Sequence, residues 1–317
     1  MREFEWIAQA AGLFGGAHAG VLVGIGDDCA VLETGGQLLV STDTVVDGVH
    51  MDRRWMSFDD MGWRALAVAL SDLAACGADP KKPITAFLSL LVPDDWPDQA
   101  LHEFAEGMRA CADEFHCAVA GGDTVATPGP FAAALTVLGT TDRPALRRGA
   151  QIGDRIAVTG PLGRAATGLF ALQHDIAPSA PACVEAYRRP RPLLAQGYPL
   201  AASVSAMIDI SDGLVADLGH LCRAGGVGAE INLDAIPVDD ETMTVLDDFT
   251  DDPVVTAITF GDDYQLLCCL PPEKIDEAKQ HGIPLTIVGE IIPGDQVRAM
   301  RNGQPVAIAA PGYEHGR

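Results

Sequence analysis

At four places in this chain an apolar run that reads as a β-strand gives way to aspartate set among glycine or hydroxyl residues: GIGDDCA at 24–30, STDT at 41–44, GGDT at 121–124 and IDISDG at 208–213. A carboxylate beside a buried strand is costly unless a cation or hydrogen-bond donors meet it. Singly, each aspartate is as well explained by a turn or a helix cap. The recurrence points further. Each run is expected to hold short oxygen ligands at the end of a strand, and rigid oxygen ligands suit a hard cation such as Mg2+. Asp28, Asp43, Asp123, Asp209 and Asp212 belong to these runs, and Asp72 joins them from LAVALSDLAACG. It lies near the C-terminal end of an expected helix, where the macrodipole disfavours a carboxylate by ~0.3–1 kcal/mol. Together these carboxylates exceed what one Mg2+ takes from a protein, so several ions bridged by phosphates are expected.

Around these runs, helices and strands alternate without a fixed repeat. The spacing of apolar residues predicts a helix over Phe4–Phe14 and a strand over 37–42. SFDD at 57–60 reads as a capping box opening a helix that Gly77 closes. A strand over 84–92, a helix from Pro97 to Phe115, and strands over 117–122 and 131–141 follow. Polar and turn residues at 142–152 mark a boundary, giving domains of 1–143 and 144–317. Beyond it, strands are expected at 154–160, 205–210 and within 258–270, with a Gly-rich turn into a helix at GPLGRAATGL and a short helix at 217–225. The fold class is α+β, or mixed α/β, in two domains.

The net charge of −23 excludes a basic nucleic-acid face and makes an anionic membrane an unattractive partner. The uncharged stretches 124–141 and 192–208 are interrupted by proline, with glycine or serine, and do not read as membrane spans, and the N-terminus lacks a signal layout. Eight cysteines form no C-x-x-C pair and no zinc spacing; reduced thiols in a cytoplasmic protein are expected. No Walker loop or protein-kinase signature occurs, and lysines are confined to Lys81, Lys82, Lys274 and Lys279. Phosphate handling would therefore fall to metals, to glycine N–H groups in GGDT and VTGPLG, and to Arg147 or Arg148.

VGIGDDCAVL, VSTDTVVDGVH, ALAVALSDLAACGADP, VAGGDT, LRRGAQIGD, VTGPLG and MIDISDGL occur in one order, and the chain resembles the thiamine-monophosphate kinase family over nearly its whole length. The most specific element is STDT with His50 nine residues after Ser41, followed by LSDLAACGADP. The resemblance implies the two-domain fold of the aminoimidazole ribonucleotide synthetase-like superfamily, with an N-terminal domain that dimerises through its β-sheet and a C-terminal α/β domain. It implies ATP-dependent phosphorylation of thiamine monophosphate to thiamine diphosphate by a homodimer. By motif, Asp28, Ser41, Thr42, Asp43, Asp72, Asp123, Asp209 and Asp212 look like Mg2+ ligands. Gly122, Asp123, Arg147 and Ser211 look like ATP contacts, and His50, Asp262 and Tyr313 like substrate contacts. Asp43, Asp72 and Arg147 are expected to bear most directly on catalysis. Asp28 is favoured over Asp27 as the direct ligand. FGDDYQL at 260–266 departs from the family's usual GGEDYEL, shortening one acid to Asp262 and replacing another by Gln265.

The implied chemistry is direct in-line transfer, because the acceptor phosphate is already an anionic nucleophile; the obstacle is repulsion between anions. Rival readings are a sibling enzyme of the aminoimidazole ribonucleotide synthetase or selenophosphate synthetase type, or a non-enzymatic cation binder. Cys29, the early cysteine in GDDCAVL, has no nearby basic residue to activate it, and no EF-hand loop is present.

Overall fold

The computed structural model describes residues 12–14, 20–23, 31–32 and 36–313. Asp27, Asp28 and most of the Phe4–Phe14 segment lie outside the described residues. The chain forms two compact units, one running to Leu73 and resuming over Ala78–Asp142, the other comprising Ala74–Gly77 and the chain from Arg143 onward.

In the N-terminal unit β1 (Val21–Val23) pairs antiparallel with β2 (Val31–Leu32). A four-stranded mixed sheet follows, in the order β3 (Gln37–Val46), β6 (Ala132–Thr141), β4 (Ile84–Pro93) and β5 (Cys117–Thr127). Two helices, α1 (Phe58–Ala75) and α2 (Asp98–Glu114), belong to the same part of the chain. The capping box forms: the Asp60 N–H donates to Ser57 Oγ at 3.1 Å and the Ser57 N–H to Asp60 Oδ2 at 3.3 Å. The α1–α2 contact is backbone-close, since a Cβ on Gly62 would sit 1.8 Å from the Phe104 carbonyl oxygen and one on Gly107 1.8 Å from that of Asp59. Burial alternates along β6: Ala133, Leu135, Val137, Gly139 and Thr141 are buried, whereas Ala132, Ala134, Thr136 and Leu138 are only partly covered. One face of the sheet therefore carries the core. The other leaves Leu38, Val40, Leu91 and Val125 exposed.

The C-terminal unit is built on a seven-stranded sheet in the order β13 (Gln304–Val306), β12 (Val297–Arg301), β9 (Gly228–Asn232), β11 (Thr286–Ile292), β7 (Arg155–Val158), β10 (Leu266–Leu270) and β8 (Ala206–Asp209). All pairings are antiparallel except β12 with β9. Helix α6 (Leu214–Gly225) places Leu214, Leu218, Leu221 and Cys222 in one core with Ile156, Val158, Ile208, Ile231 and Leu267. The other helices are α3 (Arg164–Gln173), α4 (Pro181–Arg188), α5 (Leu194–Leu200), α7 (Asp240–Phe249), α8 (Pro253–Thr259) and α9 (Ile275–Gln280). The α+β organisation expected from the sequence is present.

Two expectations are corrected. STDT and GGDT do not end strands: β3 and β5 run through them to Val46 and Thr127. Continuous pairing of β3 with β6 over ten residues, and of β5 with β4 as far as Thr127, overrides the weak strand preference of aspartate and glycine. IDISDG does lie where a strand ends, after β8.

Candidate functional site

The N-terminal unit divides the expected ligands between the two faces of its sheet. Successive strand residues alternate in direction, so Ser41 and Asp43 share the face of the buried Leu135, with which Asp43 is paired. The Ser41 hydroxyl donates to the Asp72 carboxylate across from α1. Asp43 takes the Thr44 N–H at 2.7 Å. Thr42 faces the other way, and its hydroxyl donates to the Leu135 carbonyl at 3.1 Å. Asp123 lies in one row with Thr44, Ala134 and Ser89, on the open face and on the opposite edge strand from Asp43. Ser41, Asp43 and Asp72 are thus brought together, and the Thr42 and Asp123 side chains are not brought to them. Gly122 serves strand packing: a Cβ there would lie 1.8 Å from the Leu88 carbonyl oxygen. His50 sits in the turn after β3, its Nδ1 accepting the Val46 N–H at 3.1 Å and its carbonyl accepting from the buried Arg64 Nε at 3.0 Å. The ring proton is therefore on Nε2.

In the C-terminal unit the segment after β8 gathers the remaining residues. Asp209 is buried, while Ser211 and Asp212 are half-buried. The Asp262 N–H donates to the Ser211 carbonyl at 2.8 Å, the Tyr264 N–H to the Ile210 carbonyl at 2.8 Å, and the Tyr313 N–H to the Asp212 carbonyl at 3.0 Å. Both proposed substrate contacts of this unit, Asp262 and Tyr313, are thereby tied to the loop that carries Asp212. The 261–264 turn is strained, with φ of +63° at Asp262 and +49° at Tyr264, values uncommon outside glycine. The Tyr264 hydroxyl donates to Asp262 Oδ1 at 3.0 Å. Beside the loop, a groove of about 1300 Å³ is lined by Asp212, Val215, His220, Arg223, Val297 and Tyr313 among others. Arg147 is exposed, and it lies close enough for its charge to act on His220. Burial first, then Arg223 and Arg147, hold that imidazole below its usual range.

Three residues escaped the sequence reading. Asp217 is buried, and its Oδ2 accepts the N–H groups of Ser211, Asp212 and Gly213, each at 3.1 Å. Burial, reinforced by Asp209 and then Asp212, pushes its carboxyl up to about 8. His220 Nε2 stands 4.0 Å from Asp212 Oδ2. Asp263 accepts the Gly163 N–H with both oxygens at 3.0 Å. At Gly163 the protein's own carboxylate therefore takes one of the two glycine N–H groups that VTGPLG was expected to offer to phosphate. The signal for Asp217 was present in its position four residues after Gly213, on the first turns of α6. Asp263 had none beyond being one of two adjacent acids.

The donor set fits a hard divalent cation. It is almost wholly oxygen, and Asp209 and Asp212 are close enough to Asp217 to disfavour its charge, a repulsion that a cation would relieve.

Residues 26–141 match the family model described as AIR synthase related protein, N-terminal domain, and residues 151–302 match the corresponding C-terminal domain. The thiamine-monophosphate kinase of Salmonella typhimurium is 36% identical, with 99% of this chain and 98% of that protein aligned. The chain belongs to the thiamine-monophosphate kinase family. The crystal structure of the thiamine-monophosphate kinase from Stenotrophomonas maltophilia K279a superposes with a TM-score of 0.81 at 32% identity, covering 95% of this chain and 96% of that one. A structure described as AaThiL complexed with AMPPCP and TMP superposes with a TM-score of 0.80 at 28% identity, covering 99% of each chain. Where the thiamine-monophosphate kinase resemblance has Glu, Gln265 keeps an acceptor oxygen. Gln265 Oε1 accepts the Thr159 hydroxyl at 3.0 Å, and Thr159 Oγ1 accepts the Leu266 N–H at 2.9 Å, so an uncharged side chain closes the joint between β7 and β10.

Proposed function

We propose that this protein transfers the γ-phosphoryl group of ATP directly to the phosphate of thiamine monophosphate, giving thiamine diphosphate and ADP. The observation that carries the reading is the loop of Asp209–Asp212 with Asp262 and Tyr313 tied to it, in a chain that shares its fold over 99% of its length with a relative described as complexed with AMPPCP and TMP.

The acceptor phosphate is the nucleophile and is anionic near neutral pH, so no strong general base is needed. Mg2+ is proposed to be held by Ser41, Asp43 and Asp72 in the N-terminal unit and by Asp209 and Asp212 in the C-terminal unit. Asp28, the Thr42 main chain and Asp123 are proposed as further ligands. Several bound ions would supply charge neutralisation at the reacting phosphates. Arg147 is assigned to the transferring group, with Ser211 and Gly122 to ATP, since a guanidinium adds positive charge that the scarce lysines do not. Asp262 and the Tyr313 ring suit the cationic thiazolium of the substrate, by charge and by cation–π attraction respectively. His50 is assigned as a substrate contact, through the proton on Nε2.

A second copy of the chain is proposed to cover the open sheet face that exposes Leu38, Val40, Leu91 and Val125. Sedimentation should give the mass of two chains, and a Val40→Glu variant the mass of one; a monomeric wild type contradicts this. Among the described residues no helix is long and apolar enough to cross a membrane, and the cysteines form no disulfide. The thiols agree with a cytoplasmic location.

The deciding assay incubates the protein with ATP and Mg2+ and, separately, thiamine monophosphate, a ribonucleotide amide and selenide. Thiamine diphosphate should form from thiamine monophosphate and stop when EDTA is added. Turnover of another acceptor in its place would favour a sibling activity, and turnover undiminished by EDTA would remove the metal from the mechanism.

A further inference from the structure

We infer that Asp217 is a positioning residue, holding the Ile210–Gly213 loop in the one conformation that aligns the carboxylates of Asp209 and Asp212 with Asp262 and Tyr313. The inference rests on the functional reading above for what the loop aligns, and on geometry for how it does so.

Hydrogen bonds tie this loop down from both sides. Three of its four N–H donors converge on one atom: Asp217 Oδ2 receives the N–H groups of Ser211, Asp212 and Gly213, each at 3.1 Å, while the Ile210 N–H goes to the Gln265 carbonyl at 2.8 Å. Successive N–H groups turned to one point form a nest, an arrangement that ordinarily recruits an external anion. Here the acceptor is built in, as an oxygen of the chain's own Asp217. The loop's carbonyls go elsewhere: Ile210 to the Tyr264 N–H at 2.8 Å, Ser211 to the Asp262 N–H at 2.8 Å, and Asp212 to the Tyr313 N–H at 3.0 Å. The loop thus meets α6 chiefly through the N–H groups of Ser211, Asp212 and Gly213, and the two substrate-facing segments through the carbonyls of Ile210, Ser211 and Asp212. Asp217 itself is 1% exposed and lies between the core residues Leu214, Leu218 and Leu221 of α6, so packing denies it another position. Without its carboxylate three N–H groups lose their acceptor, and the loop can move relative to Asp262 and Tyr313 together.

The test compares Asp217→Ala with Asp217→Asn, which keeps an acceptor oxygen. Mn2+ binding is followed by electron paramagnetic resonance in the presence of a non-hydrolysable ATP analogue, beside kcat and KM for thiamine monophosphate and the melting temperature. Asp217→Ala should lose roughly 10–100-fold in Mn2+ affinity and in kcat, the usual effect of removing a group that orients metal ligands. Asp217→Asn should return most of both. A purely structural role would lower the melting temperature of Asp217→Ala and leave Mn2+ affinity and kcat per folded molecule at wild-type values, which would overturn the inference. If Asp217→Ala is not recovered folded, Asp217→Ser is measured against Asp217→Asn in the same way, and wild-type Mn2+ affinity in both overturns it equally. The Mn2+ measurement needs no turnover. A wild type that binds Mn2+ but makes no thiamine diphosphate would sink the functional reading and leave this test intact.

Discussion

Asp72 is singled out as a candidate ligand by the placement of one side chain. A carboxylate in the last turns of α1 works against the helix dipole by ~0.3–1 kcal/mol, and α1 has no basic residue in its last turn to offset it. What it meets is the Ser41 hydroxyl from β3, beside Asp43. A group kept at some cost to stability is expected to matter for chemistry. Asp72→Ala and Asp43→Ala should each lower kcat by roughly 100-fold or more, the scale of losing one group that stabilises transition-state charge. The melting temperature should stay near that of the wild type. A folded Asp72→Ala with full activity would remove that residue from the site. Asp72 was legible in the sequence because its neighbours are apolar and its place on a helix is unfavourable. Asp217 was legible only through its place four residues after Gly213, and Asp263 was not legible, because nothing local distinguishes an aspartate that turns inward to cap a loop from one that faces water.

Between elements, Asp263 joins the 261–264 turn to the start of α3. Burial is the main cause of its raised carboxyl, about 7, with Asp262 adding to the shift and the N–H groups at the head of α3, Gly163 first, opposing it. The folded state therefore holds the Asp263 proton more tightly than the unfolded chain, whose carboxyl titrates near about 4. Its contribution to stability is fully present below that lower value and is lost as pH rises to about 7. Asp263→Asn removes the titration and keeps an acceptor for Gly163. Relative to the wild type, Asp263→Asn should gain on the order of a few kcal/mol between about pH 4 and 7, and no more above that. Denaturant unfolding across that range checks it, and a difference that does not change with pH contradicts it. The order of strands and helices could be read from apolar periodicity and caps, as the Ser57–Asp60 box shows. The lengths of β3 and β5 could not. Both strands continue through STDT and GGDT because their sheet neighbours pair with them, a long-range cause absent from the local sequence.

At the scale of the whole molecule, a chain of charge −23 that handles two phosphorylated substrates has to overcome repulsion between anions before it can do any chemistry. Each unit carries its own proposed oxygen-ligand group, Ser41, Asp43 and Asp72 in one and Asp209 and Asp212 in the other, and Arg147 is the cation proposed for the transferring phosphoryl. The central claim is direct transfer of that phosphoryl from ATP to the substrate phosphate. It is tested by supplying ATP radiolabelled at the γ-phosphate, with and without thiamine monophosphate, and quenching in acid. The label should appear in thiamine diphosphate one for one with ADP, and the protein incubated with ATP alone should carry none. Labelled protein that passes its label to thiamine monophosphate, or ADP formed with no labelled thiamine diphosphate, would contradict the account.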